Sequence, residues 1–210
     1  MYMYPFKLQE LNYGYDELKP FISKETMTLH HKKHQKSYID KLNDYVSCDN
    51  FLKELPLDQM ISFENLKKLD KDKEEKIRNF GGGHYNHLIY FNAISPNPKK
   101  PGKLLSNLIK KDFLSFKKME DLFKEKAQSY FGSGWCWLVL KNNELKIQTT
   151  RNQDNPINDC KCTCLMGIDL WEHSYYLDYN NRKKDYLNQI WEIVNWIDID
   201  NKILESENVK

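Results

Sequence analysis

Asp169 and His173 stand four residues apart, with Trp171 and Glu172 between them and Tyr175-Tyr176 just behind. Two potential metal ligands, an indole and a second carboxylate are therefore set between apolar Leu165-Met166 and the run Tyr175-Tyr176-Leu177. Ionisable groups are rarely placed among apolar and aromatic side chains unless they are paired or bound to a metal. The four-residue gap lets both side chains converge, on one helical face or across a tight strand-to-helix turn. Alone, Asp-x-x-x-His suits a buried ion pair as well as a metal site.

Further candidates lie upstream. Met27, His30, His34, Tyr38 and Leu42 step by three or four, which predicts a helix with His30, His34 and Tyr38 on one face. For His30 alone, a core histidine satisfied by hydrogen bonds is the commoner use. His84 and His87 follow Gly81-Gly82-Gly83 and open an aromatic helix. Three glycines remove side chains where something must approach closely. They do not make a nucleotide loop, since no strand precedes them and neither Lys-Ser/Thr nor G-x-G-x-x-G is present. His30, His87, Asp169 and His173 form the candidate ligand set. Three imidazoles and one carboxylate suit manganese or iron better than calcium or magnesium, and zinc is compatible with the same donors.

The elements that must carry these residues can be read in outline. Residues 1–20 read as loop, and Ser23 starts a helix that runs to about Val46. Residues 50–78 read as one or two lysine-rich connecting helices. Ser95-Pro96-Asn97-Pro98-Lys99-Lys100-Pro101-Gly102 has the composition of a linker and divides the chain into 1–95 and 103–210. Residues 103–126 read as helical and amphipathic. Gly134 to Leu140 and Leu145 to Thr150 read as strands joined at Asn142-Asn143, with Trp135 and Trp137 on one side. A third strand carries Cys160, Cys162 and Cys164 on a shared face and delivers Asp169. Helical segments are expected at 170–178 and 184–197, followed by a polar, frayed tail.

Composition narrows the class. Lys+Arg 32 against Asp+Glu 30 gives a formal charge of +2, with no basic stripe for nucleic acid. No apolar run approaches the roughly 20 residues that span a bilayer, and Met1 to Pro5 does not read as a secretory signal. A soluble, cytoplasmic protein is expected. Reduced thiols follow from that compartment, so the five cysteines are not expected to form a disulfide scaffold, and Cys160, Cys162 and Cys164 are read as small apolar residues. A thiolate metal site at Cys-x-Cys-x-Cys is the alternative.

In order along the chain stand Tyr13-Gly14-Tyr15-Asp16-Glu17-Leu18, Glu25-Thr26-Met27-Thr28-Leu29-His30-His31-Lys32-Lys33-His34, Asn86-His87, Ser95-Pro96-Asn97, Gly132-Ser133-Gly134-Trp135, Asn152-Gln153-Asp154 and Asp169-Leu170-Trp171-Glu172-His173. With these motifs the sequence resembles the iron/manganese superoxide dismutase family over essentially its whole length. The resemblance implies an α+β protein: an N-terminal helical hairpin and a C-terminal α/β lobe with a three-stranded antiparallel sheet. One ion per chain would lie between them on His30, His87, Asp169 and His173. Tyr38 and His34 would gate the substrate channel, Gln153 would hydrogen-bond solvent on the metal, and Trp135, Trp137 and Trp171 would wall the site. Glu172 would pair with the partner subunit's His173 and Tyr176 with the partner subunit's His34, which implies a homodimer, with a tetramer also open.

The implied reaction converts superoxide to dioxygen and hydrogen peroxide. It needs an ion with two accessible oxidation states, which removes zinc as the working metal. In manganese members of the family a glycine stands four residues before the second histidine ligand, and the site glutamine comes from the later Asn-Gln-Asp loop. Gly83, His84 and Gln153 follow that pattern, which favours manganese over iron or use of either ion. Gln35, Phe91 and the alternating cysteines depart from the family's usual residues.

Overall fold

A computed structural model describes residues 2–158 and 161–208. After an irregular N-terminal stretch, Ser23 caps α1 (Lys24–Leu29), its side chain accepting from the Thr26 amide. The helix continues without interruption through a π-helical turn, His30–Gln35, into α2 (Lys36–Val46). The widened turn is not signalled by the hydrophobic period, and it falls where His30 and His34 are displayed. Three short helical turns follow, α3 (Asn50–Lys53), α4 (Leu57–Met60) and α5 (Phe63–Leu66), in place of one or two connecting helices. Asp70 then caps α6 (Lys71–Ala93) by accepting from the Lys73 amide.

The three glycines sit in the middle of α6 and do not precede a helix. Glycine in a helix interior costs about 1 kcal/mol relative to alanine. Close packing explains them here. A Cβ on Gly82 would stand 2.3 Å from the Gln153 carbonyl oxygen, and one on Gly83 2.4 Å from the Tyr38 ring. The glycines let α2 and the loop carrying Gln153 press onto the backbone of α6.

The C-terminal half opens with two helices, α7 (Lys103–Phe113) and α8 (Phe116–Ser129), which share the stretch expected to be helical. The break is at Leu114, whose φ of 68° leaves the helical region, and Ser115 caps α8 through the Lys118 amide. The sheet is antiparallel, in the order β2-β1-β3, from β1 (Gly134–Lys141), β2 (Glu144–Arg151) and β3 (Thr163–Asp169). Asn142 and Asn143 turn the hairpin with positive φ at both positions, the conformation that a two-residue type I′ turn requires. In β3, Met166 pairs with Leu138 and Cys164 with Val139, so Leu165 is an extra residue that bends the strand.

That geometry revises the reading of the cysteines. Cys164 lies in β3 and is buried, whereas Cys162 precedes the strand, and Cys160 lies outside the described residues. Beyond the sheet the chain makes a 3₁₀ turn, Glu172–Ser174, then α9 (Tyr176–Tyr179) and α10 (Lys183–Trp191). Where a polar, frayed tail was expected, α11 (Trp196–Asn208) is helical and buries Ile199 and Ile203, and residues 209–210 lie outside the described residues. Residues 95–102 are pinned to the turn before α11. Ser95 N donates to Ile193 O, and Trp196 N to Lys99 O.

Two cores result. The smaller one lies among α2, α4 and α6, around Leu42, Met60 and Ile77. The larger draws Leu18, Tyr90 and Phe91 together with Trp135, Met166 and Ile190, from both sides of residues 95–102. Among the described residues, no helix is long and apolar enough to cross a membrane.

Candidate metal centre

His30, His87, Asp169 and His173 meet between α6, the π-helical turn and the end of β3. Asp169 Oδ2 lies 3.1 Å from His30 Nε2, 3.2 Å from His173 Nε2 and 3.9 Å from His87 Nε2. All four ligand atoms fall within 4.8 Å of one another. Donors that share an ion at about 2.0–2.2 Å stand about 3–4 Å apart, so these separations suit a common ion. Each of the four is buried and has no hydrogen-bond partner among the described residues. Such atoms are costly unless something binds them all at once.

Local structure aims them. The Gly83 carbonyl can only accept, so His87 Nδ1, 2.5 Å away, carries the proton and Nε2 presents its lone pair inward. Asp169 Oδ1 accepts from the Trp171 amide at 2.7 Å, which leaves Oδ2 for the site. The four-residue gap to His173 is spanned by the strand end and the 3₁₀ turn, the second of the two geometries that the spacing allowed. Burial alone would raise the Asp169 carboxyl, but the imidazoles of His173 and His30 hold it below the usual carboxylate range. Burial lowers His30 and His87. The same burial, reinforced by His173 and His30, pushes His34 down to about 4.

Around this centre stand the other residues singled out in the sequence. His34 stacks on His173 with ring centroids 4.0 Å apart, and the Tyr38 ring is 5.6 Å from His87. Gln153 Nε2 donates to the Tyr38 hydroxyl at 2.9 Å, and its Oε1 accepts from Trp135 Nε1 at 3.1 Å. Burial raises the Tyr38 phenol, which is therefore protonated at neutral pH. The β1–β3 register sets Trp135 opposite Asp169, and its ring lies 5.3 Å from His87. Trp171 is 5.7 Å from His173 and donates Nε1 to Asn152 O. Trp137 stacks behind Trp135 at 5.6 Å and donates to Thr150 Oγ1, so it supports the wall without forming its inner face. Glu172 and Tyr176 are exposed.

Sequence reasoning gave no role to Asn86 or His31. Asn86 Nδ2 donates to both the backbone carbonyl and the Oε1 of Gln153, at 3.0 and 3.2 Å, which fixes the amide with Nε2 toward Tyr38. Its place beside His87 was the only signal. His31 Nε2 donates to Gln9 O, which leaves Nδ1 to accept from Tyr15 OH at 2.7 Å. Of the departures, Phe91 packs 5.0 Å from His30 and Gln35 Nε2 lies 3.4 Å from His84 Nδ1.

Comparison with known proteins agrees with this arrangement. Residues 5–95 match the family description "Iron/manganese superoxide dismutases, alpha-hairpin domain", and residues 101–202 match "Iron/manganese superoxide dismutases, C-terminal domain". A protein of Listeria innocua serovar 6a named superoxide dismutase [Mn] is 41% identical over 192 residues, covering 91% of this chain and 94% of that protein. With both halves matched in order and a relative of that identity along nearly its whole length, the chain belongs to the iron/manganese superoxide dismutase family.

Proposed function

We propose that the protein converts superoxide to dioxygen and hydrogen peroxide with one manganese ion per chain, held by His30, His87, Asp169 and His173. The observation that carries this reading is the convergence on one point of four buried ligand atoms that make no hydrogen bond among the described residues. In this reading residues 1–95 and 103–210 are two structural halves that contribute two ligands each. The bound ion supplies two oxidation states one electron apart, so that one superoxide can be oxidised and the next reduced.

The chain's own residues manage the anion and its protons. The walls of Trp135, Trp171 and Phe91 limit entry to small species. Tyr38 accepts from Gln153, so its own proton is free for the reduced substrate that leaves as peroxide. Neutral His34, stacked on His173, lines the approach and adds no competing charge. Asn86 and Trp135 hold the Gln153 amide in the orientation this requires.

Manganese is favoured by the family pattern of Gly83 with Gln153, and the packing at position 83 is consistent with it. Tyr38 occupies the space that any side chain at position 83 would enter, so the site has room for the glutamine at 153 and not for one at 83. The Mn-named relative supports the same choice. Metal content and superoxide-dependent activity, measured on one sample grown with both ions, test it. Near-stoichiometric manganese with proportional activity is expected. Iron with full activity would overturn the metal and leave the reaction, whereas bound metal without activity would overturn the reaction.

Tyr38→Phe should keep the metal and slow the peroxide-forming half-reaction by about tenfold, the scale of losses beside a metal site. Pulse-generated superoxide separates the two half-reactions, and loss of metal from this variant would contradict the division of roles. We further propose a homodimer in which Glu172 and Tyr176 reach the partner subunit's His173 and the partner subunit's His34. Tyr176, Leu177 and Leu29 expose apolar surface where α9 packs beside α1. Light scattering should give about twice the 25.2 kDa chain mass, and a Tyr176→Ala/Leu177→Asp protein should approach one chain. A persistent dimer in that variant would place the interface elsewhere.

A further inference from the structure

A cavity of about 770 Å³ opens between residues 98–101, the α7–α8 break and the segment leading into α11, and it shares no lining residue with the metal centre. That volume falls in the range that takes a small organic ligand. Its inner face is apolar and aromatic. Phe116 and Trp196 meet edge to face with ring centroids 4.9 Å apart, and Ile109 and Val194 complete the surface.

Its rim is cationic. Lys99, Lys100 and Lys110 line the cavity, are exposed, and make no ion pair among the described residues. Two carboxylates share the lining, Glu120 and Glu192. Glu120 is engaged by Lys124 at 2.5 Å, so Glu192 is the single acid set against three lysines. The surroundings accentuate this: residues 99–126 hold nine lysines and four acids in a chain whose formal charge is only +2.

The lip is also unusual. Leu114 combines a positive φ with 69% exposure, so a large apolar side chain is held out beside the opening on a backbone conformation that disfavours it. Strain of this kind in a branched residue gathers at ligand-binding sites. Beneath the aromatic face, Trp191 Nε1 is enclosed and has no partner among the described residues.

We propose that this cavity binds a small organic anion with a flat apolar body. The body lies against Phe116 and Trp196 under Leu114, and the acid group faces Lys99, Lys100 and Lys110. Carboxylate and phosphate share the recognising chemistry. The occupant is a small molecule, because the enclosed volume is that of a small-ligand site.

Calorimetric titration of the metal-loaded protein tests this with three probes: 2-naphthoate, 1-naphthyl phosphate and neutral 2-naphthol. One acid probe per chain should bind, and the tighter of the two acids identifies the head group. Lys100→Gln/Lys110→Gln should weaken the acids by about tenfold, as expected for losing two exposed charge contacts, and leave 2-naphthol unchanged. Phe116→Ala should weaken all three probes. Lys117→Gln, which removes a neighbouring charge outside the lining, should change none. Superoxide-dependent activity should be unaltered in the lysine variants, so failure here is separable from failure at the metal centre. The proposal is overturned if neither acid saturates, or if the paired lysine variant binds as tightly as the parent. It is equally overturned if Lys117→Gln loses as much, or if only phosphatidylglycerol vesicles bind.

Discussion

His173→Ala should leave a folded protein that retains less than about one tenth of its metal and loses more than about 100-fold in activity. Changes to groups that merely support a ligand cost about 10–100-fold in affinity or activity, and removal of a ligand exceeds that. The fold should survive because His173 lies in a short turn between β3 and α9, with its ring partly exposed, and the turn's backbone bonds do not involve its side chain. The remaining donors, His30, His87 and Asp169, are fixed on the π-helical turn, α6 and β3 respectively, so the loss is in binding and not in their placement. Far-ultraviolet circular dichroism should match the parent. The melting temperature should fall by the binding contribution, about 4 kcal/mol where free ion exceeds the dissociation constant a thousandfold. Full metal content in the variant would remove His173 from the ligand set. A variant that loses its helical signal would be replaced by His173→Gln, which keeps side-chain bulk and removes the imidazole.

Gly82→Ala should destabilise the protein by about 2–4 kcal/mol, although alanine is the better helix former by about 1 kcal/mol. The sign reverses because the new Cβ meets the Gln153 carbonyl oxygen at 2.3 Å and the carbonyl carbon at 3.3 Å, backbone atoms that cannot swing aside. The Gln153 loop is itself held by Asn86 and, through Asn155, by the buried Asn158. Relief therefore means moving the loop that points Gln153 at Tyr38. Activity should fall with stability while the ligand residues keep their metal. For a chain of this size the expected loss corresponds to about 5–15 °C in melting temperature. Gly14→Ala serves as the contrast. Its nearest neighbour is the end of the Glu17 side chain at 3.3 Å, which can turn away, so a near-neutral result is expected. A Gly82→Ala protein as stable as the parent would mean that the loop gives way without cost.

How much of this was written in local sequence depends on how far each residue's partners lie along the chain. His30, His34 and Tyr38 were placed by helical period, and Asp169 with His173 by a short gap, because those relations are settled within a turn or two. The Asn142-Asn143 hairpin was legible for the same reason. The glycines in α6 were misread as preceding a helix, since what they accommodate is Tyr38 on another helix and a loop beyond the sheet. Asn86 carried no readable role, its partner Gln153 being 67 residues away. The break at Leu114 was hidden because apolar spacing runs through it, and only the backbone shows the change of direction. The tail looked polar by composition, yet Ile199 and Ile203 recur at helical spacing and are buried.

His30 and His87 belong to the first half of the chain, and Asp169 and His173 to a strand end and a turn near its close. During synthesis the earlier pair is exposed long before the later pair exists. Two imidazoles without the carboxylate bind an ion weakly and select poorly among metals. It follows that the ion is chosen late, when the sheet has formed and brought Asp169 beside Trp135 against α6. Full affinity and selectivity for the ion therefore wait on the antiparallel sheet and the turn that follows it.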